Sequence, residues 1–332
     1  MSLPNPLPEL ESGPLPYAEA LRLAQLGSHH IVPDDDFSAI TADSDEGSYV
    51  SLTQSVIDYQ YEKLPNDEKE QNRLDLFHHV FRMLLNGDLF TAPVADRLRA
   101  PVGPGMRRPR VLDLGTGTGI WAIDVADEFP NADVVANDLS PIQPQNVPTN
   151  VRFEVDDVES QWPRSRVFDF IHCRTLGGAI SDWSALYKQA YDNLAPGGWF
   201  EATEVRMRMD SDKDIDWEKT TIHYMTRLFI HALQLIGKPA EVAHLHRGWM
   251  IQAGFTNVTE RLERIPSSPW PKDKKLKELG YYHMHNLVDA MDSYGLAPLT
   301  RILGMERVEA EVLIAAARAE IRNRKNHYYS VV

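Results

Sequence analysis

Gly115, Gly117 and Gly119 alternate with Thr116 and Thr118 directly after the apolar run Val111-Leu112-Asp113-Leu114, and a helix-compatible run from Ile120 to Glu128 follows them. Glycine takes backbone angles closed to other residues and lets a ligand come close to the main chain. A strand, a glycine loop and a helix in that order admit a nucleoside cofactor, although such loops also serve dinucleotides and plain tight turns. Two further acids extend the pattern. Asp138 closes the next apolar run, from Asp133, where a carboxylate at a strand tip can accept hydrogen bonds from both ribose hydroxyls. Asp157, in Asp156-Asp157-Val158 behind the run Val151–Val155, can hold an exocyclic amine while a nearby backbone amide meets a ring nitrogen.

These residues need an α/β scaffold, with strands alternating with helices as in a doubly wound sheet. A fourth strand is expected at Phe168–Cys173 and a helix from about Trp183 to Leu194. The breaker Ala195-Pro196-Gly197-Gly198 then leads into a fifth strand, Trp199–Glu204. A sixth at Asn257–Ile265 and an antiparallel seventh in the tail from His327 complete a Rossmann-like, seven-stranded sheet. Residues 1–50 read as a poorly regular extension and 51–105 as a helical cover segment. Residues 106–332 read as the core, with helical insertions at about 210–253 and 272–326. Asn66 or Asp67 can cap a helix reaching to about Asn86, with Leu74, Phe77, His78, Phe81 and Leu85 on one face. That helix is expected to cover the cofactor cleft, with His78 and His79 as packing or surface residues.

Asp-x-Gly-x-Gly-x-Gly, the acid closing strand two, the Asp-Val step after strand three and Leu194-Ala195-Pro196-Gly197-Gly198 together resemble class I S-adenosylmethionine-dependent methyltransferases. Tyr61-Glu62-Lys63-Leu64-Pro65-Asn66-Asp67-Glu68, Arg73-Leu74-Asp75-Leu76, Gly119-Ile120-Trp121-Ala122, Asp138-Leu139-Ser140-Pro141 and Trp270-Pro271-Lys272-Asp273 narrow this resemblance. They are similar to the fungal trans-aconitate-methyltransferase-like, or LaeA-like, group, from about Ser48 to the C-terminus. The resemblance implies S-adenosylmethionine as cofactor, bound by Asp113, Gly115, Thr116, Gly117 and Gly119 of the loop together with Asp138, Leu139, Asp157 and Val158. Tyr61 is expected to close over the cofactor, and Arg174, at the tip of strand four, to meet cofactor or acceptor. It also implies either O-methylation of a small metabolite, a regulator working through protein partners, or a cofactor-binding fold that transfers nothing.

Composition favours the first. The chain of 332 residues is 43% hydrophobic, and it holds no apolar run of the roughly 20 residues that span a bilayer. A cytoplasmic enzyme is expected, with no membrane partner. A net charge of −14 repels a polyanion, so nucleic acid is not an expected substrate. The single cysteine, Cys173, excludes an internal disulfide and reads as a small packing residue. His244-x-His246 and His283-x-His285 have the wrong spacing to share a metal on a helix, so no metal is expected. A short N-terminal helix over Tyr17–Leu26 would dock on the core or on a second subunit, so the chain admits a homodimer.

Methyl transfer from a sulfonium releases a neutral leaving group, so the protein must mainly align the acceptor and exclude water. A carboxylate acceptor needs a cationic clamp, for which Arg174, Arg206, Arg208, Arg227 and Arg247 are candidates. A hydroxyl needs a base within hydrogen-bond reach, for which His172, His223 and His283 are candidates, although His172, ahead of the strand-four tip, also reads as a core histidine. Trp217, Tyr281 and Tyr282 read as simple packing residues or as the wall of an apolar pocket.

Overall fold

The structure, a computed structural model, describes Ile31, residues 67–163 and residues 167–332. A parallel sheet carries the site. Its strands are β1 (Arg110–Leu114), β2 (Asp133–Asp138), β3 (Val151–Val155), β4 (Phe168–Arg174) and β5 (Leu194–Thr203), in spatial order β3-β2-β1-β4-β5. The order reverses direction between β1 and β4, and in open α/β sheets ligands bind at the carboxyl ends of the strands flanking such a point. Strands β1, β2 and β4 are almost wholly buried, as a parallel sheet covered on both faces requires. On one face Trp121, Phe129 and Phe170 pack together; on the other, Ile171, Tyr187 and Phe200 do.

Helix α1 (Glu68–Leu84) and the short α2 (Ala95–Arg99) precede β1. Asp67 caps α1, its carboxylate accepting from the Glu70 N–H at 2.9 Å, and Glu68 and Glu70 in the first turn complement the helix dipole. Helix α3 (Ile120–Glu128) follows the glycine loop and α4 (Trp183–Asn193) precedes β5. Beyond β5, α5 (Thr221–Leu235), α7 (Lys274–Met291) and α8 (Arg307–Arg322) build a core of their own around Ile222, Met225, Leu299 and Ile314. Between α5 and α7 lies α6 (His246–Ala253). Wide π-helical turns at Asp292–Leu296 and Pro298–Ile302 join α7 to α8.

The seven-stranded expectation needs correction. Among the described residues the parallel sheet has five strands, and the tail strand β8 (Tyr328–Val331) instead forms a small antiparallel sheet between β6 (Asp210–Ser211) and β7 (Arg264–Pro266). Strand six begins only at Arg264 and runs one residue past its expected end, to Pro266; Asn257, at the start of the expected run, stands in the left-handed region with φ 56°. The two sheets meet just past β5, where the Arg206 N–H donates to the Val331 carbonyl at 2.9 Å.

Candidate active site

All three loop glycines have positive φ, at 64°, 60° and 82° for Gly115, Gly117 and Gly119, but for different reasons. A Cβ on Gly115 would lie 2.5 Å from Leu176 Cδ2, and one on Gly119 would lie 2.5 Å from Phe153 Cζ. Those two positions are filled by the protein's own packing. A Cβ on Gly117 would meet only Leu74 Cδ1, at 3.5 Å, so Gly117 is where main chain is open to a ligand. The loop is tied from three sides. Thr118 donates to Asp75 of α1 at 2.6 Å, Gln143 donates to the Gly117 carbonyl at 2.6 Å, and the Gly117 N–H donates to Asp138 Oδ2 at 2.8 Å.

Asp138 Oδ1 also accepts from the Ser140 N–H at 2.9 Å. With the Leu139 N–H also bonded to it, three of the roughly four acceptor sites on the carboxylate are used, leaving about one for a ligand. Burial raises its pKa, against the backbone hydrogen bonds from Ser140 and Gly117. Leu139 beside it is 45% exposed, an apolar surface where the face of a base would sit. At the end of β3, Asp157 is exposed; its side chain accepts from the Glu159 N–H and its own N–H donates to Asp156, both at 2.9 Å. Val158 packs its side chain on the core and gives its carbonyl to the Trp162 indole at 2.9 Å. The open Gly117, the acceptor site left on Asp138 and the exposed side chain of Leu139 fit a nucleoside cofactor. Tyr61 lies outside the described residues.

Two polar relays tie the strands below this loop to the helices over them. Asp113 accepts from His172 Nδ1 at 2.7 Å and from Thr116 Oγ1 at 2.6 Å, while the Trp121 ring stacks on His172 with centroids 3.7 Å apart. His172 is 2% exposed. The structure therefore makes it a residue that orients β1 against β4, rather than one presented at the strand tip. Arg174, one turn of the pleat further on, lies over the Phe81 ring at 4.6 Å and donates to His78 Nδ1 at 3.1 Å. A guanidinium only donates, so Nδ1 accepts and Nε2–H donates to Asp124 at 3.0 Å. Burial lowers the His78 pKa, consistent with this neutral tautomer. His78 is thus a buried bridge between α1, α3 and β4, a role that its spacing on an apolar helix face did not disclose. Among the described residues no carboxylate pairs with Arg174, whose pKa burial lowers to about 10, so it still carries a charge open to a partner.

Above the ends of β4 and β5 lies a cavity of about 140 Å³. Phe77 of α1, Met225 and Phe229 of α5, and Leu287 and Met291 of α7 give it apolar walls. Thr175 and Glu204 come from the strand ends, and Thr175 has φ 55°. A β-branched residue in that region is strained, and such strain persists where the surroundings over-determine it, often at functional sites. Arg73 and Tyr294 also reach this cavity, but Arg73 is held by Glu70 at 2.6 and 2.8 Å and by Asn286 at 2.8 Å. Glu204 is 7% exposed and accepts from the Gly177 and Val205 N–H groups at 2.8 and 3.0 Å. Burial pushes its pKa up to about 7.

Several expected residues fall elsewhere. His223 sits on another face of α5, beside Glu218 at 3.3 Å, because the cavity-facing residues of that helix are Ile222, Met225, Thr226 and Phe229. Trp217 stacks on Tyr328, and Tyr281 and Tyr282 pack on His285 and His79, so Phe77, Phe229 and Tyr294 are the aromatic walls instead. Arg206 reaches the cavity but is paired with Asp210 at 3.0 Å. Of the expected bases only His283 lines it; its Nε2 meets Ser330 Oγ at 2.9 Å and burial lowers its pKa to about 3. Glu204 went unassigned from sequence, although an acid ending an apolar strand is the available signal.

Residues 85–260 match the methyltransferase domain family. Over 307 residues the chain is 38% identical to methyltransferase pytC of Aspergillus terreus, covering 88% of this chain and 91% of that protein. It is 35% identical to secondary metabolism regulator laeA of Monascus pilosus, covering 81% of this chain and 71% of that protein. It is 31% identical to probable methyltransferase tdiE of Emericella nidulans, covering 81% of this chain and 82% of that protein.

Proposed function

The chain belongs to the S-adenosylmethionine-dependent methyltransferases, in the group of fungal methyltransferases and secondary-metabolism regulators, and from that premise we propose that it O-methylates a hydroxyl of a small, largely apolar molecule of fungal secondary metabolism. The observation that carries this reading is the cavity over β4 and β5. An engineered apolar cavity of about 150 Å³ holds a benzene ring, so a space near 140 Å³ takes about one ring of an acceptor. Methionines at 207, 209, 225 and 291 line much of it, and such unbranched, polarisable side chains adapt to irregular apolar ligands.

In this reading Asp138 holds the ribose, Leu139 and Val158 flank the base, and the Gly117 main chain meets the methionine part of the cofactor. Arg174, charged and without a carboxylate partner among the described residues, takes the cofactor's own carboxylate. When bound, the cofactor supplies a methyl group on a positively charged sulfur. The chain's own work is then positional. Helix α1 closes both sites at once, through Leu74 and Asp75 over the glycine loop and Phe77 over the cavity. Dry walls exclude water as a competing acceptor, and alignment of two bound reactants is worth roughly 7 to 11 kcal/mol at its upper end.

The kinship with a regulator supplies the second reading, methyl transfer to a protein or none at all. Incubation with methyl-labelled S-adenosylmethionine and a fungal organic extract separates them. Label in a small molecule is the expected result; label confined to protein, or absent despite cofactor binding, would overturn the proposal.

A further inference from the structure

We propose that Glu204 is the general base of the reaction, taking the hydroxyl proton of the acceptor as its oxygen is methylated. This assignment rests on the function proposed above. It stands first on geometry: Glu204 follows the last residue of β5 and lines the same cavity as Thr175, Met225 and Phe229. Its two oxygens accept one backbone N–H each, from Gly177 and Val205. With a further backbone N–H, that of Leu176, also bonded to it, those bonds fix the carboxylate while leaving about one of its four acceptor positions for a hydroxyl.

The charged and titratable neighbours leave its basicity intact. Cys173 of β4, Tyr187 of α4 and Tyr294 beyond α7 are buried with pKa values raised by desolvation, so they face Glu204 as neutral groups. Glu241, before α6, adds a like charge. The two arginines of the cavity, Arg73 and Arg206, are bound to Glu70 and Asp210. Glu201, further back on β5, accepts from Thr91 and Ala92 instead. No cation among the described residues quenches Glu204, and burial brings it to about 7, where a base is half ready and still strong at neutral pH. His283, the other titratable group that could accept a proton here, sits near 3 and holds protons too weakly.

The step balances in charge and atoms. The acceptor oxygen forms the new C–O bond as the methyl group's bond to sulfur breaks, and that electron pair stays on sulfur, which leaves neutral. The O–H proton passes to Glu204, converting carboxylate to carboxylic acid, and the proton returns to water when product leaves. The positive sulfur and the negative carboxylate thus cancel across one step. A carboxylate acceptor would need no such base, so the assignment commits the enzyme to a protonated nucleophile.

The test compares wild type with Glu204→Gln and Glu204→Asp, using methyl-labelled S-adenosylmethionine and the small molecule that the wild type labels. Glu204→Gln is expected to lower kcat/KM by at least about 100-fold, the lower range for general-base catalysis. Cofactor Kd should stay within about twofold, because the cofactor loop is untouched. The wild-type kcat/KM should fall tenfold per pH unit below an inflection near 7, and this limb should vanish in Glu204→Gln but persist, at reduced rate, in Glu204→Asp. Should Glu204→Gln fail to fold, the wild-type limb and the aspartate variant decide. Wild-type transfer matched by an equally active Glu204→Gln, or a wild-type profile flat from pH 5 to 8, overturns the base assignment alone. No wild-type transfer to any small molecule overturns the proposed function and the base with it.

Discussion

Substituting alanine at Gly117 and Gly119 separates the cofactor seat from the packing of the glycine loop. Both residues have positive φ, and a side chain in the left-handed region costs roughly 1–2 kcal/mol whatever surrounds it. At Gly117 that is the whole structural cost, because the new methyl meets only Leu74 Cδ1 at an ordinary 3.5 Å. At Gly119 the methyl runs into two atoms of the Phe153 ring at 2.5 and 2.6 Å, a flat group that cannot fold away, adding roughly 1–3 kcal/mol of overpacking. Gly115 is intermediate, since it meets the far end of Leu176, which can rotate. For a chain of 332 residues one kcal/mol moves Tm by roughly 1–2 °C, so Gly117→Ala should lose about 1–3 °C and Gly119→Ala about twice as much. Cofactor affinity should run the other way. Gly117→Ala places its methyl in the open space above the loop and should raise the S-adenosylmethionine Kd at least about tenfold, 1.4 kcal/mol. Scanning calorimetry gives Tm and titration calorimetry gives Kd on the same samples. A Gly117→Ala protein that binds S-adenosylmethionine with wild-type affinity would refute the placement of the cofactor at this loop.

Two other outcomes follow. Asp138→Ala removes the proposed ribose acceptor and strands the Gly117 N–H; losing hydrogen bonds to a charged group should cost about 1.5–3 kcal/mol of binding, roughly 10- to 150-fold in Kd, and unchanged affinity by calorimetry would remove Asp138 from the site. Glu204 should also govern stability against pH. Its folded pKa is raised from 4.5 to about 7, so the folded state favours the protonated form, and that stabilisation, complete below 4.5, is lost as pH rises through 7. Glu204→Gln is therefore expected to gain on the wild type between pH 5 and 8.5, by up to roughly 3 kcal/mol, and parallel unfolding curves across that range would contradict the burial argument.

The parallel sheet was legible because its signals are local. Strand-forming runs separated by glycine, proline and acids set β1 to β4 to within a residue, and Asp67 set the start of α1. The cavity over β4 and β5 was legible only in outline, through the helical insertions expected at about 210–253 and 272–326, because it is assembled from α1, α5, α7 and two strand ends that are distant in sequence and meet only through packing. Periodicity gives a helix its apolar face but not what lies opposite. It left Trp217, Tyr281 and Tyr282 between packing and a pocket wall, and they pack on other rings while Phe77, Phe229 and Tyr294 form the wall. His172 and His78 illustrate the same limit. Each has the chemistry of a base, and only their partners, Asp113 and Trp121 for one and Arg174 and Asp124 for the other, show that both are structural bridges. The short outer sheet escaped for another reason: Asn257 stands in the left-handed region at the start of a run whose composition is otherwise that of a strand.

Filling the cavity over β4 and β5 shows whether it receives a small methyl acceptor. Ala290 lines the cavity from α7, and Ala290→Leu adds apolar bulk there without touching the glycine loop. Label transfer from S-adenosylmethionine is measured for wild type and variant in the small-molecule fraction of a fungal extract, with cofactor Kd measured alongside. The account predicts a labelled small molecule with the wild type, at least about tenfold less of it with Ala290→Leu, and the same cofactor Kd for both. Equal labelling by the two proteins, or label that appears only on protein, would contradict it.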